Sequence, residues 1–325
     1  MANAKITGVG RYIPEKVYDN AYFESIVETN DEWITRRTGI KERHISADDE
    51  YTTDMAIKAA ENAIKNAGLT AEDIDLVMLG SVTPDYFTPA GACVVQGAIG
   101  AVNAAAFDYN AACSGFITGI TIAKQFIETG TYKHVLVICA DALSKATDYA
   151  DRATCVLFGD AAGAAVISAS EETGIIATDI GADGTGAKAI TQLAYREDAE
   201  ETEKRVSHNK GTIWMAGQTV MKFAVKAMAD ASKRVLDKAG YTYDDIALVI
   251  PHQANYRIVD AAIKRMGISG DKVFLNLEKF GNTSASCIPS SLSQAVEQGR
   301  IKKGDKIILV GFGGGLTWGA ALLEW

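Results

Sequence analysis

"AGLTAEDIDLVML" (67–79) and "AGYTYDDIALVIP" (239–251) align without a gap at an offset of 172 residues, with seven of thirteen positions identical. Each copy follows a segment with helical apolar spacing, "TTDMAIKAAENAIKN" (52–66) and "VKAMADASKRVLDK" (225–238). Each then runs into a short apolar stretch that reads as a buried strand. A second, weaker pair matches in the same order: "ETGTYKHVLVICA" (128–140) and "EQGRIKKGDKIILVG" (297–311) share E-x-G, basic residues and an apolar strand. Two matched pieces in one order predict two similar halves, 1–172 and 173–325. Chance likeness between two helix–turn–strand units is the alternative. Helices alternate with β-branched apolar runs in both halves, which predicts α/β layers with strands covered on both faces.

The duplication has a consequence for function. The E-x-G anchors are offset by 169 residues (297 − 128), and 113 + 169 = 282, so Asn282 falls near the position in the second half that Cys113 holds in the first. Halves packed about a pseudo-twofold axis bring equivalent loops together, so Cys113 and Asn282 are expected to share a site.

Composition bounds the rest. The 325 residues are 48% apolar and 22% charged, enough for a large core in one domain or two intimate ones. The opening "MANAKITGVGRYIPEK" lacks the apolar run of a secretory signal. The most apolar stretch, "IILVGFGGGLTWGAALLEW" (307–325), carries five glycines and reads as two buried strands around a turn rather than a membrane span. Cys93, Cys113, Cys139, Cys155 and Cys287 form no C-x-x-C pair, which points to the reducing cytoplasm. The four histidines show no metal-ligand spacing, and a net charge of −9 argues against general nucleic-acid binding.

The chemistry centres on "DYNAACSGFITG" (108–119). Phe116, Ile120, Ala123 and Ile127 fall on one face of a helix that begins near Cys113. A thiol at a helix N-terminus feels the positive end of the dipole, so its pKa is expected below the free value of roughly 8.5. A buried packing cysteine is the alternative, and it is the expectation for the other four. His252 follows an apolar strand at "IPHQANYR", where α/β folds present functional groups. Asn282, in "KFGNTSASCIP", reads either as a site residue or as an ordinary turn or cap. "GFGGGLTWG" (311–319) allows close backbone approach and can aim N–H groups at an anion.

Several of these motifs together resemble one family. "AACSGF" around Cys113, "PHQAN" (251–255), "GNTSA" (281–285) and "FGGGLTWG" (312–319) are similar to β-ketoacyl-acyl-carrier-protein synthase III, the initiating condensing enzyme of type II fatty-acid synthesis. "DEWITRRTGIKERH" (31–44), "DRATCVLFGDAAGA" (151–164) and "MAGQTVMKFAV" (215–225) match as well, so the likeness runs nearly end to end. It implies the thiolase fold: duplicated βαβαβαββ halves in a five-layered αβαβα sandwich.

The resemblance also implies roles. Cys113 would take an acyl group from acyl-coenzyme A, and His252 and Asn282 would stabilise the enolate left when malonyl-acyl-carrier protein loses CO₂. The backbone N–H groups of Cys113 and Gly314 would form the oxyanion hole. Trp33, Arg37, Arg152, Gly217 and Asn255 would bind coenzyme A. Thr88, Leu143, Phe158, Ile213 and Phe312 would line the acyl pocket, with Thr88 contributed across a homodimer interface. No cofactor or metal is implied. Thr88 stands where acetyl-preferring members often carry Phe, which predicts room for longer or branched starters. Trp214 is bulky enough to refill that space, and Met221 replaces an aromatic beside the pantetheine tunnel.

The acidic carrier protein is expected to dock on Lys222, on Gln253, Ala254, Asn255 and Tyr256, and on the helix beyond. There Arg257, Lys264 and Arg265 fall on one side and Ile258, Ala262 and Met266 on the other. An ordinary solvated helix face is the alternative. Three other readings compete: a polyketide-type starter synthase of the same fold, a Cys-His-Asn thioester hydrolase, and a non-catalytic carrier-binding module.

Overall fold

The computed structural model describes residues 2–325. The first half runs through β1 (Asn3–Tyr12), β2 (Lys16–Asp19), α1 (Asn20–Glu24), α2 (Asp31–Thr38), β3 (Glu42–Ile45), α3 (Thr52–Asn66), β4 (Leu76–Gly80) and α4 (Gly91–Ile99). It continues with β5 (Ala105–Tyr109), α5 (Gly115–Glu128), β6 (His134–Asp141) and β7 (Ala161–Ser170). The second half holds β8 (Ile175–Ala182), β9 (Ile190–Thr191), α6 (Ala199–Glu203), β10 (Trp214–Met215), α7 (Gly217–Ala239), β11 (Leu248–Pro251) and α8 (Tyr256–Met266). It closes with α9 (Leu277–Phe280), α10 (Cys287–Glu297), β12 (Lys306–Gly313) and β13 (Thr317–Glu324).

Two sheets repeat one connectivity. The first has the order β1-β7-β6-β4-β5 and the second β11-β12-β13-β8. β4 runs parallel to β6 as β11 does to β12, and the next two pairings of each sheet are antiparallel. Beyond β11 a single parallel bridge, Val249 to Val273, stands where β5 stands beyond β4.

Alternation along the strands builds the layers. In β6, Val135, Val137 and Cys139 face the centre, while Leu136, Ile138 and Ala140 face out toward α3 and α4. In β12, Ile307 and Leu309 face the centre, while Ile308, Val310 and Phe312 face out toward α7 and α8. α5 and α10 fill the space between the sheets with Phe116, Ile120, Ala123 and Ile127 from one and Ile288, Leu292 and Ala295 from the other. Each large apolar side chain buried this way contributes roughly 1.5–3 kcal/mol. The result is the expected αβαβα sandwich.

The two central helices start alike. A 3₁₀ turn, Ala112–Ser114, precedes α5, and another, Ser284–Ser286, precedes α10. Each opens on a residue with positive φ, +46° at Ala112 and +53° at Ser284. Their offset is 172 (284 − 112), that of the longer repeat, and α10 is three residues shorter than α5 (11 against 14), which produces the offset of 169 at the E-x-G anchors. The counterpart of Cys113 is therefore Ala285, and that of Asn282 is Asn110. Cys113 and Asn282 do meet, but from positions three residues apart in the repeat.

Candidate active site

A cavity of about 1270 Å³ opens between the halves, and Cys113, His252 and Asn282 all line it. Cys113 sits in the 3₁₀ turn ahead of α5, half-buried, and its thiol donates to Ser284 Oγ at 3.4 Å. β12 packs against its backbone: a Cβ added at Gly313 would lie 2.5 Å from Cys113 N, so only glycine fits there. Gly314, the next residue, lines the cavity.

The expected low thiol pKa is overturned. α5 begins two residues later, at Gly115, and burial in the cavity wall pushes the Cys113 thiol up to about 12, with the Ser284 contact opposing and the nearby Asp141 charge adding to the rise. Desolvation of a thiolate outweighs the end of one helix dipole here.

His252 leaves β11 with its backbone N–H on the Val310 carbonyl at 2.7 Å. The side chain is wholly buried, and neither ring nitrogen has a hydrogen-bond partner among the described residues. Burial lowers its pKa to about 3, so the imidazole is neutral at physiological pH. A buried polar group left unpaired in a cavity wall is costly unless a ligand completes it.

Asn282 is pinned to the first half: its N–H donates to Leu157 O (2.9 Å), and its carbonyl accepts from Gly159 N (3.0 Å). Its Oδ1 accepts from Ser284 N at 2.9 Å, which turns the amide Nδ2 into the role of free donor. Three residues thus line one space, and they carry a thiol, a neutral imidazole and an amide N–H.

Four of the five residues expected to bind coenzyme A line the cavity, and Arg152 does not. Trp33, Arg37, Gly217 and Asn255 line the cavity, with Met221 beside them. α2 presents Trp33 and Arg37 because Asn30 caps it through the Trp33 N–H and Gly39 ends it at φ +78°. Arg152 lies over the Trp33 ring at 4.7 Å and Arg37 at 5.7 Å. Asn255 caps α8 by accepting from Arg257 N.

The acyl-pocket expectations divide. Leu143, Phe158, Ile213 and Phe312 line the cavity. Thr88 is exposed and outside its own chain's cavity, whereas its neighbour Phe87 borders it. Trp214 does not refill the space: in β10 its side chain alternates away from Ile213 and Met215 and lies under Lys204 at 5.1 Å.

The docking expectations need two corrections. Gln253 is wholly buried, its amide bonded to Ser291 and to the backbone N–H groups of Asn276 and Leu277, so it offers no surface. Lys264 and Arg265 are exposed but paired with Asp260 and Asp230. Lys222, Tyr256 and Arg257 are exposed, and Ala254 is half-buried at the cavity wall. Cys93 is also exposed, against the expectation that the four remaining cysteines are buried.

The sequence reading passed over Ser284, Asp141 and Arg43. Ser284 lies within the quoted "GNTSA", and Asp141 is the one charged residue closing an otherwise apolar buried strand. Arg43, wholly buried, donates to Val156 O and to Asn20 Oδ1 (2.6 Å) and braces the wall that carries Phe158.

Comparison with known proteins places this arrangement. The fold is that of thiolase-type condensing enzymes. Residues 107–184 match the family described as 3-oxoacyl-[acyl-carrier-protein (ACP)] synthase III, and residues 236–325 match its C-terminal part. The beta-ketoacyl-[acyl-carrier-protein] synthase III of Clostridioides difficile (strain 630) is 53% identical over 99% of this chain and 98% of its own. The crystal structure of the Aquifex aeolicus VF5 3-oxoacyl-[acyl-carrier-protein] synthase III superposes with a TM-score of 0.93 at 45% identity, covering 99% of this chain and all of that one. The priming beta-ketosynthase of the R1128 polyketide pathway also superposes at 0.93, at 33% identity, covering 99% and 96%. This chain belongs to the 3-oxoacyl-[acyl-carrier-protein] synthase III family.

Proposed function

We propose that this chain joins an acyl-coenzyme A starter to malonyl-acyl-carrier protein, giving 3-oxoacyl-acyl-carrier protein and CO₂. The observation that carries the reading is that Cys113, Asn282 and a His252 whose ring nitrogens have no partner among the described residues line one cavity. In the first half-reaction the Cys113 sulfur attacks the acyl thioester and coenzyme A leaves. In the second, malonyl thioester loses CO₂. The electron pair moves onto the thioester carbonyl oxygen, where His252 and Asn282 donate hydrogen bonds to it. The enolate carbon then attacks the acyl-Cys113 carbonyl, and the Cys113 sulfur leaves. Neutral donors suit this step, because a carboxylate there would oppose the developing charge. Both substrates arrive activated as thioesters, so the chemistry calls for no cofactor.

Trp33, Arg37, Arg152, Gly217 and Asn255 would hold coenzyme A. Arg152 lies over the Trp33 ring at 4.7 Å, so an adenine seated between them would part the two planes. The backbone N–H groups of Cys113 and Gly314 would hold the tetrahedral oxyanion. Lys222 and Arg257 would meet the acidic carrier protein. Two copies would pair along β5, an edge strand with Phe107 exposed, placing Thr88 at the partner's acyl pocket. The halves 1–172 and 173–325 are the units of the duplication. Among the described residues no helix is long and apolar enough to cross a membrane. We place the protein in the cytoplasm with its carrier-protein substrate, all five cysteines being free thiols.

A priming role in polyketide assembly is the second reading, favoured by the likeness to the R1128 enzyme. The test is direct: incubate the protein with an acyl-coenzyme A and malonyl-acyl-carrier protein and analyse the carrier protein by mass spectrometry. The proposal requires 3-oxoacyl-carrier protein with the wild type and none with Cys113→Ala. A comparison of fatty-acid and polyketide carrier proteins separates the two readings.

A further inference from the structure

Asp141 closes β6, one contact removed from the nucleophile. It is fully buried, and no Lys, Arg or His pairs with it among the described residues. Its Oδ1 accepts from Val82 N (2.7 Å), Ser81 Oγ (3.0 Å) and Thr83 Oγ1 (3.3 Å), and Oδ2 accepts from Ala285 N (3.4 Å). The Ala285 N–H bond brings the neighbouring Ser284 to this carboxyl, whose charged form its hydroxyl favours, although no hydrogen bond joins the two side chains in the resting structure. On its other side Ser284 Oγ accepts from the Cys113 thiol. A serine at φ +53° is backbone strain, stored in the turn that sets its hydroxyl on the Cys113 thiol.

We propose that Asp141, acting through Ser284, receives the Cys113 proton during acylation and returns it when the ketoacyl product is released. As the Cys113 sulfur bonds to the acyl carbon, its proton passes to Ser284 Oγ while the Ser284 proton passes to Asp141. The acyl–sulfur bond of coenzyme A breaks, and the coenzyme A thiolate takes its proton from water. Asp141 stays neutral through the life of the acyl-enzyme. After decarboxylation and carbon–carbon bond formation the Cys113 sulfur leaves as thiolate and recovers the stored proton by the same route. One proton is taken from solvent per turnover, and CO₂, coenzyme A and ketoacyl product balance. Asp141 touches no substrate. It is a positioning and proton-holding residue.

The surroundings favour this assignment. Burial raises the Asp141 pKa to about 6, above the ordinary carboxyl range, so the group accepts a proton more readily than an exposed aspartate. The titratable groups that feel its charge, Cys113, Cys139 and Tyr109, are all pushed upward and keep their own protons. A neutral Asp141 also removes a negative charge that raises the Cys113 pKa, which eases departure of the thiolate in the second half-reaction.

This inference rests on Cys113 being the acylated residue. Infrared difference spectra of the full-length protein before and after acyl-coenzyme A test it, alongside rapid-quench acylation rates. The wild type is expected to gain a protonated-carboxyl stretch on acylation and lose it when malonyl-acyl-carrier protein is added. Asp141→Asn should lack the band and acylate about 10²–10⁴ times more slowly, the range of a lost proton-transfer partner, while its malonyl decarboxylation rate is unchanged. Ser284→Ala leaves the ties of Asp141 to Ser81, Val82 and Thr83 in place and should slow acylation alike, which covers the case in which the Asn variant does not fold. No carboxyl band in an acyl-enzyme mapped to Cys113, or an equal loss of acylation and of malonyl decarboxylation in the variants, overturns the proposal. A wild type with no acyl group on Cys113 overturns the functional reading itself.

Discussion

Cys113 and His252 are both held in their neutral forms by burial, one pushed up to about 12 and the other down to about 3. A resting ion pair of the papain kind is thus disfavoured, and His252 is left as a hydrogen-bond donor. Asn282→Ala should still form acyl-Cys113 but lower the decarboxylation rate by about 10²–10³, the usual effect of removing one preorganised donor. Loss of acylation with decarboxylation intact would reverse the assignment. His252 also bears on stability. Its folded pKa lies below the unfolded value, so the unfolded chain binds the extra proton. The contribution is intact above about pH 6.5 and is lost as pH falls, by roughly 2 kcal/mol at pH 5. Asp141 acts oppositely: its folded pKa is raised, so its ionisation costs stability as pH rises through about 6. Melting temperatures between pH 7 and 5 should therefore fall further in Asp141→Asn than in the wild type, and less in His252→Gln. Parallel curves for all three would contradict the burial of these groups.

At the scale of elements, α8 shows what periodicity reveals and what it hides. Ile258, Ala262 and Met266 are buried as their spacing requires, and Asn255 and Gly267 end the helix at both sides. The charged face was equally legible, but the Arg265 ion pair was not, because Asp230 reaches it from α7, far away in sequence. Gln253 looked like surface in "PHQAN" and is instead the brace between α9 and α10, a role set entirely by tertiary contacts. Arg257, which has no acidic partner among the described residues, should dominate docking. Arg257→Glu is expected to raise KM for malonyl-acyl-carrier protein with little change in kcat, and added salt should weaken the wild type in the same way. A KM indifferent to both would remove α8 from the docking surface.

The whole molecule follows from the repeat at 67–79 and 239–251. The duplication, the alternation of strands and the site between the halves were all legible, because each depends on local pattern copied twice. The register was not: α10 lost a turn relative to α5, and a repeat anchored on its far end pairs Cys113 with the wrong residue. The thiol's pKa was also illegible, since the cavity that desolvates it exists only after both halves pack. The acyl pocket depends on assembly as well. Trp214 leaves the cavity clear, and each further buried CH₂ of a starter contributes roughly 0.8 kcal/mol where space allows. The protein should accept butyryl-, isobutyryl- and hexanoyl-coenzyme A besides acetyl, and Thr88→Phe should selectively lose the longer starters. Sedimentation should give two chains per particle, dissociated by Phe107→Asp. Starter selectivity unchanged by Thr88→Phe, or a wild type confined to acetyl-coenzyme A, would show that position 88 does not close the pocket.

The central claim is that one cysteine carries the acyl group between two half-reactions. Intact-mass spectrometry with peptide mapping, after acyl-coenzyme A and again after malonyl-acyl-carrier protein, tests it most directly. The account predicts a single acyl adduct on Cys113, absent in Cys113→Ala, retained in Asn282→Ala and discharged in the wild type as 3-oxoacyl-carrier protein. An adduct on Cys93, Cys139, Cys155 or Cys287, or an acyl-Cys113 that only hydrolyses when malonyl-acyl-carrier protein is supplied, would contradict it.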